Sequence, residues 1–189
     1  HTRSFKRYAL RMLLFAVLSE VPFDLMYGGT VFYPVHQNVI WTLLLGLLGI
    51  RLMEAARAKG KRWLYILTCA AVVVLGFALG TLGMVDYYGA GVLTVFAFYF
   101  FRERKLWCLL GQLAALYWLN VAVLGGQMYP VTVFGREIEL CEQGLALLAL
   151  VPIWLYRGRQ GHHSKAFQYA CYAFYPAHML VLALPTMIQ

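Results

Sequence analysis

Long apolar runs alternate with short polar connections along the whole chain. The runs fall at 8–26, 38–56, 63–83, 87–101, 106–124, 139–156 and 166–187, the fourth being the shortest. A helix needs about 20 consecutive apolar residues to cross a bilayer. Backbone amides and carbonyls in lipid must be satisfied within the segment, which leaves helices or closed barrels. The runs are too long and too uniformly apolar for alternating barrel strands. The pattern therefore predicts an all-α polytopic membrane helix bundle with about seven transmembrane helices. Residues 1–189 form one domain, and short connections make successive helices antiparallel neighbours.

Charge gives the bundle a direction. Fifteen of the sixteen Lys and Arg residues lie in or beside four segments: Arg3-Lys6-Arg7-Arg11, Arg51 with Arg57-Lys59-Lys61-Arg62, Arg102-Arg104-Lys105, and Arg157-Arg159-Lys165. The remaining connections hold only Arg136. Short loops rich in Lys and Arg stay cytoplasmic, so the expected topology has the N-terminus inside and the C-terminus outside. Six of the eight acidic residues, Glu20, Asp24, Asp86, Glu137, Glu139 and Glu142, then fall on the outer side. Only Glu54 and Glu103 accompany the basic loops.

Composition agrees: 62% of residues are hydrophobic and 13% charged, too few polar residues to cover a soluble domain of this length. The net charge of +8 does not point to nucleic acid, because the cations sit at membrane edges rather than on one face. Cys69, Cys108, Cys141 and Cys171 are far apart, with no metal-ligand spacing among them. They read as free thiols, and no metal is expected. The chain starts His1-Thr2-Arg3 without an initiator Met and enters an apolar run almost at once, so a piece lacking upstream segments is expected.

Candidate chemistry gathers at the outer half. Glu20 and Asp24 are four apart, on one face of the first helix. Pro22 between them cannot donate to the Leu18 carbonyl, which loosens the helix there. Glu20 could equally bond a neighbouring helix while Asp24 ends the span. His36, Gln37 and Asn38 stand where the chain re-enters the membrane, and Asn38 also suits a helix N-cap. Asp86 and Tyr87 open the fourth helix at the same level, Asp86 as a natural cap and Tyr87 as a belt tyrosine. His178 lies midway along the last helix, where an ionisable residue marks a functional site or a satisfied interhelical bond. Glu142 and Gln143 belong to the same end. A histidine with carboxylates serves general acid–base chemistry, a proton relay or polar-substrate transport; spacing does not choose among them.

Four blocks resemble the TraX family of integral-membrane proteins, named after a conjugal-transfer enzyme that N-acetylates pilin and related to multi-pass membrane acyltransferases. They are Ser19-Glu20-Val21-Pro22-Phe23-Asp24-Leu25; Gln37-Asn38-Val39-Ile40-Trp41-Thr42-Leu43-Leu44-Leu45-Gly46; Asp86-Tyr87 with Gly91-Val92-Leu93; and Tyr175-Pro176-Ala177-His178-Met179-Leu180. Tyr88 stands where the family pattern has Gly after the Asp-Tyr pair. The resemblance implies two further upstream helices, the first bearing an Asp-His pair suited to be the catalytic base. It implies a bacterial inner-membrane acyltransferase that moves an acetyl or similar group from acetyl-CoA to an amine or hydroxyl. The acceptor would be a protein or envelope glycan near the outer face. Glu20, Asp24 and His178 would be its catalytic residues here, with His36, Gln37, Asn38, Asp86 and Tyr87 binding substrate. A small-solute or proton-coupled transporter using the same carboxylates and histidine is the alternative, and a non-enzymatic membrane assembly factor is a third class.

Overall fold

A computed structural model of the chain describes residues 4–133, 135–156, 158, 161 and 164–187. The basic residues Arg3, Arg157 and Arg159 lie outside them. Seven helices follow in order: α1 (Phe5–Gly28), α2 (Val39–Ala58), α3 (Arg62–Leu82), α4 (Tyr88–Phe100), α5 (Leu106–Tyr117), α6 (Leu150–Leu155) and α7 (Lys165–Met187). A π-helical turn, Trp118–Leu124, continues α5, and a 3-10 segment, Glu142–Ala149, precedes α6. Between them stands an antiparallel hairpin, β1 (Met128–Val133) and β2 (Arg136–Cys141), with Met128 opposite Cys141.

The helices are arranged as a chain of neighbours. α7 packs on α1, α1 on α2, and α2 on both α3 and α4; α4 then meets α5 and the π turn. The tightest packing lies among α2, α3 and α4, where Met53, Val72, Val92, Phe96 and Tyr99 are buried together with Val85. Glycine permits that approach. A Cβ on Gly89 would come within 2.5 Å of the Phe77 carbonyl oxygen, and one on Gly80 within 2.9 Å of the Tyr88 carbonyl oxygen. Small residues at helix contacts are how membrane helices bring backbones close without a hydrophobic driving force.

Among the described residues, three helical stretches are long and apolar enough to cross a membrane: Val39–Ala58, Arg62–Leu82 and Leu106–Leu124. Only 11% of the α3 stretch is buried within the protein, so most of its apolar surface faces outward, as lipid-facing helices require. The expectation of about seven transmembrane helices is not supported: these three qualify by length and composition among the described residues. Each shortfall has a cause. Lys6, Arg7, Arg11, Glu20 and Asp24 run through α1. The α4 helix has 13 residues, about 20 Å at 1.5 Å per residue, short of a roughly 30 Å hydrocarbon core. Gln168, three tyrosines and His178 interrupt α7.

The expected helix at 139–156 is also corrected. Its first residues pair in β2, and the rest divides into the 3-10 segment and the six-residue α6. Alternating Glu137-Ile138-Glu139-Leu140, one polar residue for each apolar one, is a period-2 strand pattern, and Gly135 takes the left-handed φ of 76° in the turn. The chain is thus predominantly α-helical with a small β-hairpin.

Candidate functional site

The first turn of α2 organises the polar end of the bundle. Asn38 is fully buried and uses its whole side chain. Its Oδ1 accepts from the Ile40 amide at 3.0 Å, capping α2. Its Nδ2 donates to the Ala16 carbonyl at 2.8 Å and to Glu20 Oε2. Trp41, one helical turn on, donates its indole N–H to the same Glu20 oxygen at 2.8 Å. Asn38 is therefore both a helix cap and a clamp on Glu20, and Glu20 does bond a neighbouring helix. That bonding uses one carboxylate oxygen. The other, Oε1, is buried with no hydrogen-bond partner among the described residues.

Asp24 lies one turn further along α1, 2% exposed. Its Oδ2 accepts from the Tyr33 amide at 2.9 Å, which ties the α1–α2 loop back onto α1. Its Oδ1 is likewise buried and unpartnered among the described residues, as is Ser19 Oγ. The i, i+4 spacing puts the Asp24 charge within electrostatic reach of Glu20.

The second half of the site joins the α1–α2 loop to the α3–α4 turn. The Gln37 amide donates to the Met84 carbonyl at 2.8 Å, and Gln37 pairs with Val85 in an isolated parallel bridge. The Gln37 side chain turns back to the Pro34 carbonyl. This places buried His36 with Nε2 3.3 Å from Asp86 Oδ1. The imidazole stacks on Tyr27 at 4.6 Å and on Phe23 at 5.7 Å, and meets Tyr88 edge-on. Thr42 Oγ1 donates to the Asp86 carbonyl at 2.7 Å, linking this half to the helix that carries Asn38. Burial pushes the Asp86 carboxyl above its ordinary range, against the opposing pull of His36. Asp86 makes no side-chain cap for α4, contrary to expectation. Tyr87 and Tyr88 adopt positive φ at the helix start, and Asp86 turns to His36 instead.

Two clefts flank α2 here. One of about 310 Å³ lies between α2, α4, the π turn and the 3-10 segment, bordered by Tyr87, Asn120 and Gln143. The other, about 290 Å³, lies between α1, α2 and α7. Val39 and Leu43 line both.

The structure thus brings Glu20, Asp24, His36, Gln37, Asn38 and Asp86 to one end of the bundle, with Tyr87 on the rim. It does not bring His178 into hydrogen-bond contact with them. The His178 Nδ1 lies 2.9 Å from the Phe174 carbonyl of its own helix, so that nitrogen carries the proton and donates, and the ring stacks on Phe174. Its edge rests against Tyr175 at 5.4 Å. Tyr175 is the α7 residue that reaches the cluster. Its hydroxyl is buried within electrostatic reach of Glu20 and Asp86, and has no hydrogen-bond partner among the described residues. Trp41 and Tyr175 escaped sequence reasoning, although both stand in the blocks that carry the family resemblance. Their signal was an aromatic donor one helical turn from a polar residue, Trp41 from Asn38 and Tyr175 from His178. Among the described residues no three of His, Cys, Asp and Glu are grouped to hold a metal.

These features define an α-helical membrane-type protein with a half-satisfied carboxylate site at one end of its bundle. The family described as TraX protein matches residues 1–185, essentially the whole chain, and the chain belongs to that family. No curated protein and no solved structure matches it.

Proposed function

We propose that the site transfers an acetyl or similar acyl group from acyl-CoA to an amine or hydroxyl. The bundle would lie in the bacterial cytoplasmic membrane, with the carboxylate end outward and the basic end inward. The observation that carries this reading is the state of Glu20. One of its oxygens is fixed by Asn38 and Trp41, and the other is buried without a hydrogen-bond partner among the described residues. A held carboxylate with one oxygen not committed to a structural bond is what a general base needs. No cation pairs with it among the described residues, so its charge is not spent on a structural ion pair.

In the balanced step the acceptor N–H or O–H loses its proton to Glu20 as its N or O attacks the acyl carbon. A new C–N or C–O bond forms and the C–S bond breaks. The departing sulfur takes up a proton and leaves as the CoA thiol. Asp24, one turn away, orients the acceptor. The His36–Asp86 pair and Gln37 form the wall that excludes water on the α4 side. The acceptor, a protein or an envelope glycan, is met at the outward end.

The test supplies labelled acetyl-CoA to membranes that contain the chain and counts incorporation into protein and glycan separately. Glu20→Gln and Asp24→Asn should abolish incorporation in a protein that still folds. Persistence in both variants would remove these carboxylates from the mechanism. Absence of wild-type incorporation together with carboxylate-dependent solute uptake would replace the reading with transport.

A further inference from the structure

The hairpin β1–β2 is amphipathic. Residues directly opposite in an antiparallel pair share a face, and faces alternate along each strand. The register sets Tyr129 opposite Leu140 and Val131 opposite Ile138. These four side chains therefore form one apolar face, with Arg136 at its turn end. Pro130, Thr132, Glu137 and Glu139 form the opposite face. Tyr129, Val131, Ile138 and Leu140 are each between 39% and 51% exposed, so the bundle leaves their face bare among the described residues. A two-stranded hairpin by itself is marginal in water, and a bare apolar face calls for a cover.

The hairpin is also tethered close to the membrane. Gly125, Gly126 and Gln127 separate β1 from the Leu106–Leu124 span, so Met128 stands within about 14 Å of extended chain from the end of that span. The chain returns to the same place after β2, where the Glu142 amide donates to the Gln127 carbonyl at 2.9 Å. Gly125 and Gly126 take φ of 68° and 115°, which lets the chain leave the helix direction abruptly. Tyr117 and Trp118, both more than half exposed, lie in the last two turns of the span, where aromatic rings mark the boundary between bilayer and water.

We infer that the apolar face of the hairpin docks on the phospholipid surface where the span leaves the bilayer, with Tyr129, Val131, Ile138 and Leu140 seated between headgroups and acyl chains. Charge placement selects lipid as the occupant. Arg136 is the one cation outside the four basic segments, and it stands at the turn end of the apolar face. There its guanidinium can reach a lipid phosphate while its stem stays in the apolar layer. The Glu137 and Glu139 carboxylates are on the other face, turned to water and away from the phosphates. A protein partner fits this patch poorly. Four side chains at these exposures offer about 400 Å², half of the roughly 800 Å² per partner of a standard protein interface. A lipid surface sets no such minimum, because the span already holds the hairpin beside it. The inference rests on the span crossing a membrane and is independent of the acyl-transfer reading.

The test compares neighbouring positions on opposite faces. The photoreactive residue p-benzoylphenylalanine replaces Ile138 in one variant and Glu137 in another. Both positions are exposed, so both variants should keep the melting temperature of the parent chain. Each is irradiated in the membranes of the cells that make it and again in phosphatidylcholine nanodiscs, and the adducts are identified by mass spectrometry. Position 138 should give phospholipid adducts in both settings, at least about fivefold more than position 137, because successive strand residues face opposite sides. Adding Arg136→Glu to the 138 variant should lower its lipid yield, since a carboxylate then faces the phosphates. An unchanged yield would overturn the phosphate contact of Arg136. Equal lipid yields at 137 and 138 would show that neither face is seated on lipid. A 138 variant without lipid adducts would show the face open to water. Adducts of position 138 with a second copy, with another protein or with a different part of this chain would name that occupant instead. Each of these last three results would overturn the inference.

Discussion

Glu20 and Glu54 occupy opposite ends of the same bundle, and each carboxylate accepts from an aromatic side chain. Glu20 accepts from the Trp41 indole and Glu54 from the Tyr99 hydroxyl at 2.6 Å. They differ in everything else. The Glu54 oxygen also takes Arg102 at 3.2 Å, that guanidinium covers the Tyr99 ring at 4.7 Å, and water reaches the pair, whose side chains are 38% and 50% exposed. The Glu54 charge there has a counter-charge in Arg102, and solvent completes the rest. Glu20 has neutral donors on one oxygen and nothing among the described residues on the other. An ion pair at the basic end braces α2 to the α4–α5 connection, and a carboxylate without a counter-ion among the described residues at the polar end is what the proposed transfer would use. Exposed pairs of the first kind contribute roughly 0–1 kcal/mol; buried, half-satisfied groups of the second kind persist where function needs them.

The largest expected effect tests that contrast directly. Glu20→Gln should lower acyl incorporation by about a hundredfold or more, the scale of a lost general base. Glu54→Gln should change it by less than about threefold, the scale of an exposed ion pair. Similar losses in the two variants would erase the distinction between the ends. The Glu20→Gln protein should keep its melting temperature nearly intact, because the new amide oxygen can still accept from Asn38 and Trp41.

Next comes Asn38→Ala, which removes the helix cap, takes the Asn38 amide from the Ala16 carbonyl and leaves Glu20 with Trp41 alone. Thermal unfolding should show a loss of about 2 kcal/mol, about half from the cap and half from stranded buried groups. Arg102→Gln at the other end should cost clearly less. A larger effect from Arg102→Gln would mean that the basic end, not Asn38, holds the bundle together.

A smaller change is expected from His36→Phe. The phenyl ring keeps the stacks on Tyr27 and Phe23 but gives up the bond to Asp86. Stability should fall by about 1 kcal/mol, a single hydrogen bond. Activity should fall less than in Glu20→Gln, since the proposed step gives this pair no contact with the reacting atoms.

The smallest effect is a titration. Burial raises the Asp86 carboxyl above its ordinary value of 3.8. Its protonated C=O stretch, lost in Asp86→Asn, should appear in infrared difference spectra at a higher pH than in a free aspartate. The folded chain holds this proton more tightly than the unfolded chain. The group therefore favours folding most at acid pH, and that contribution is lost as pH rises through the folded value. Titration at or below the free value would show that His36 outweighs burial.

The periodicity of the apolar runs made most helix positions legible. α2, α3 and the Leu106–Leu124 stretch lie close to their expected places, because a run of about 20 apolar residues has few other stable forms in lipid. The same reasoning overcounted spans where length or charge fell short, in α1 and α4, and missed the hairpin, which lies mostly in the connection before the 139–156 run and takes only the first residues of that run into β2. Glu20, Asp24, Asn38 and Asp86 were legible one by one, since ionisable and amide groups stand out against an apolar background. Their pairing was not. Glu20 meets Asn38 only because α1 and α2 cross there, and His36 meets Asp86 only because Gln37 bridges to the α3–α4 turn. The α7 block showed the limit most clearly. Sequence weight fell on His178, the ionisable residue, yet α7 is rotated so that Tyr175 faces the cluster while His178 bonds its own helix. Composition and periodicity determine which segments are helices, because those depend on local hydrophobicity. Which face of each helix meets which neighbour depends on packing between segments far apart in the chain, and only the tertiary structure decided that.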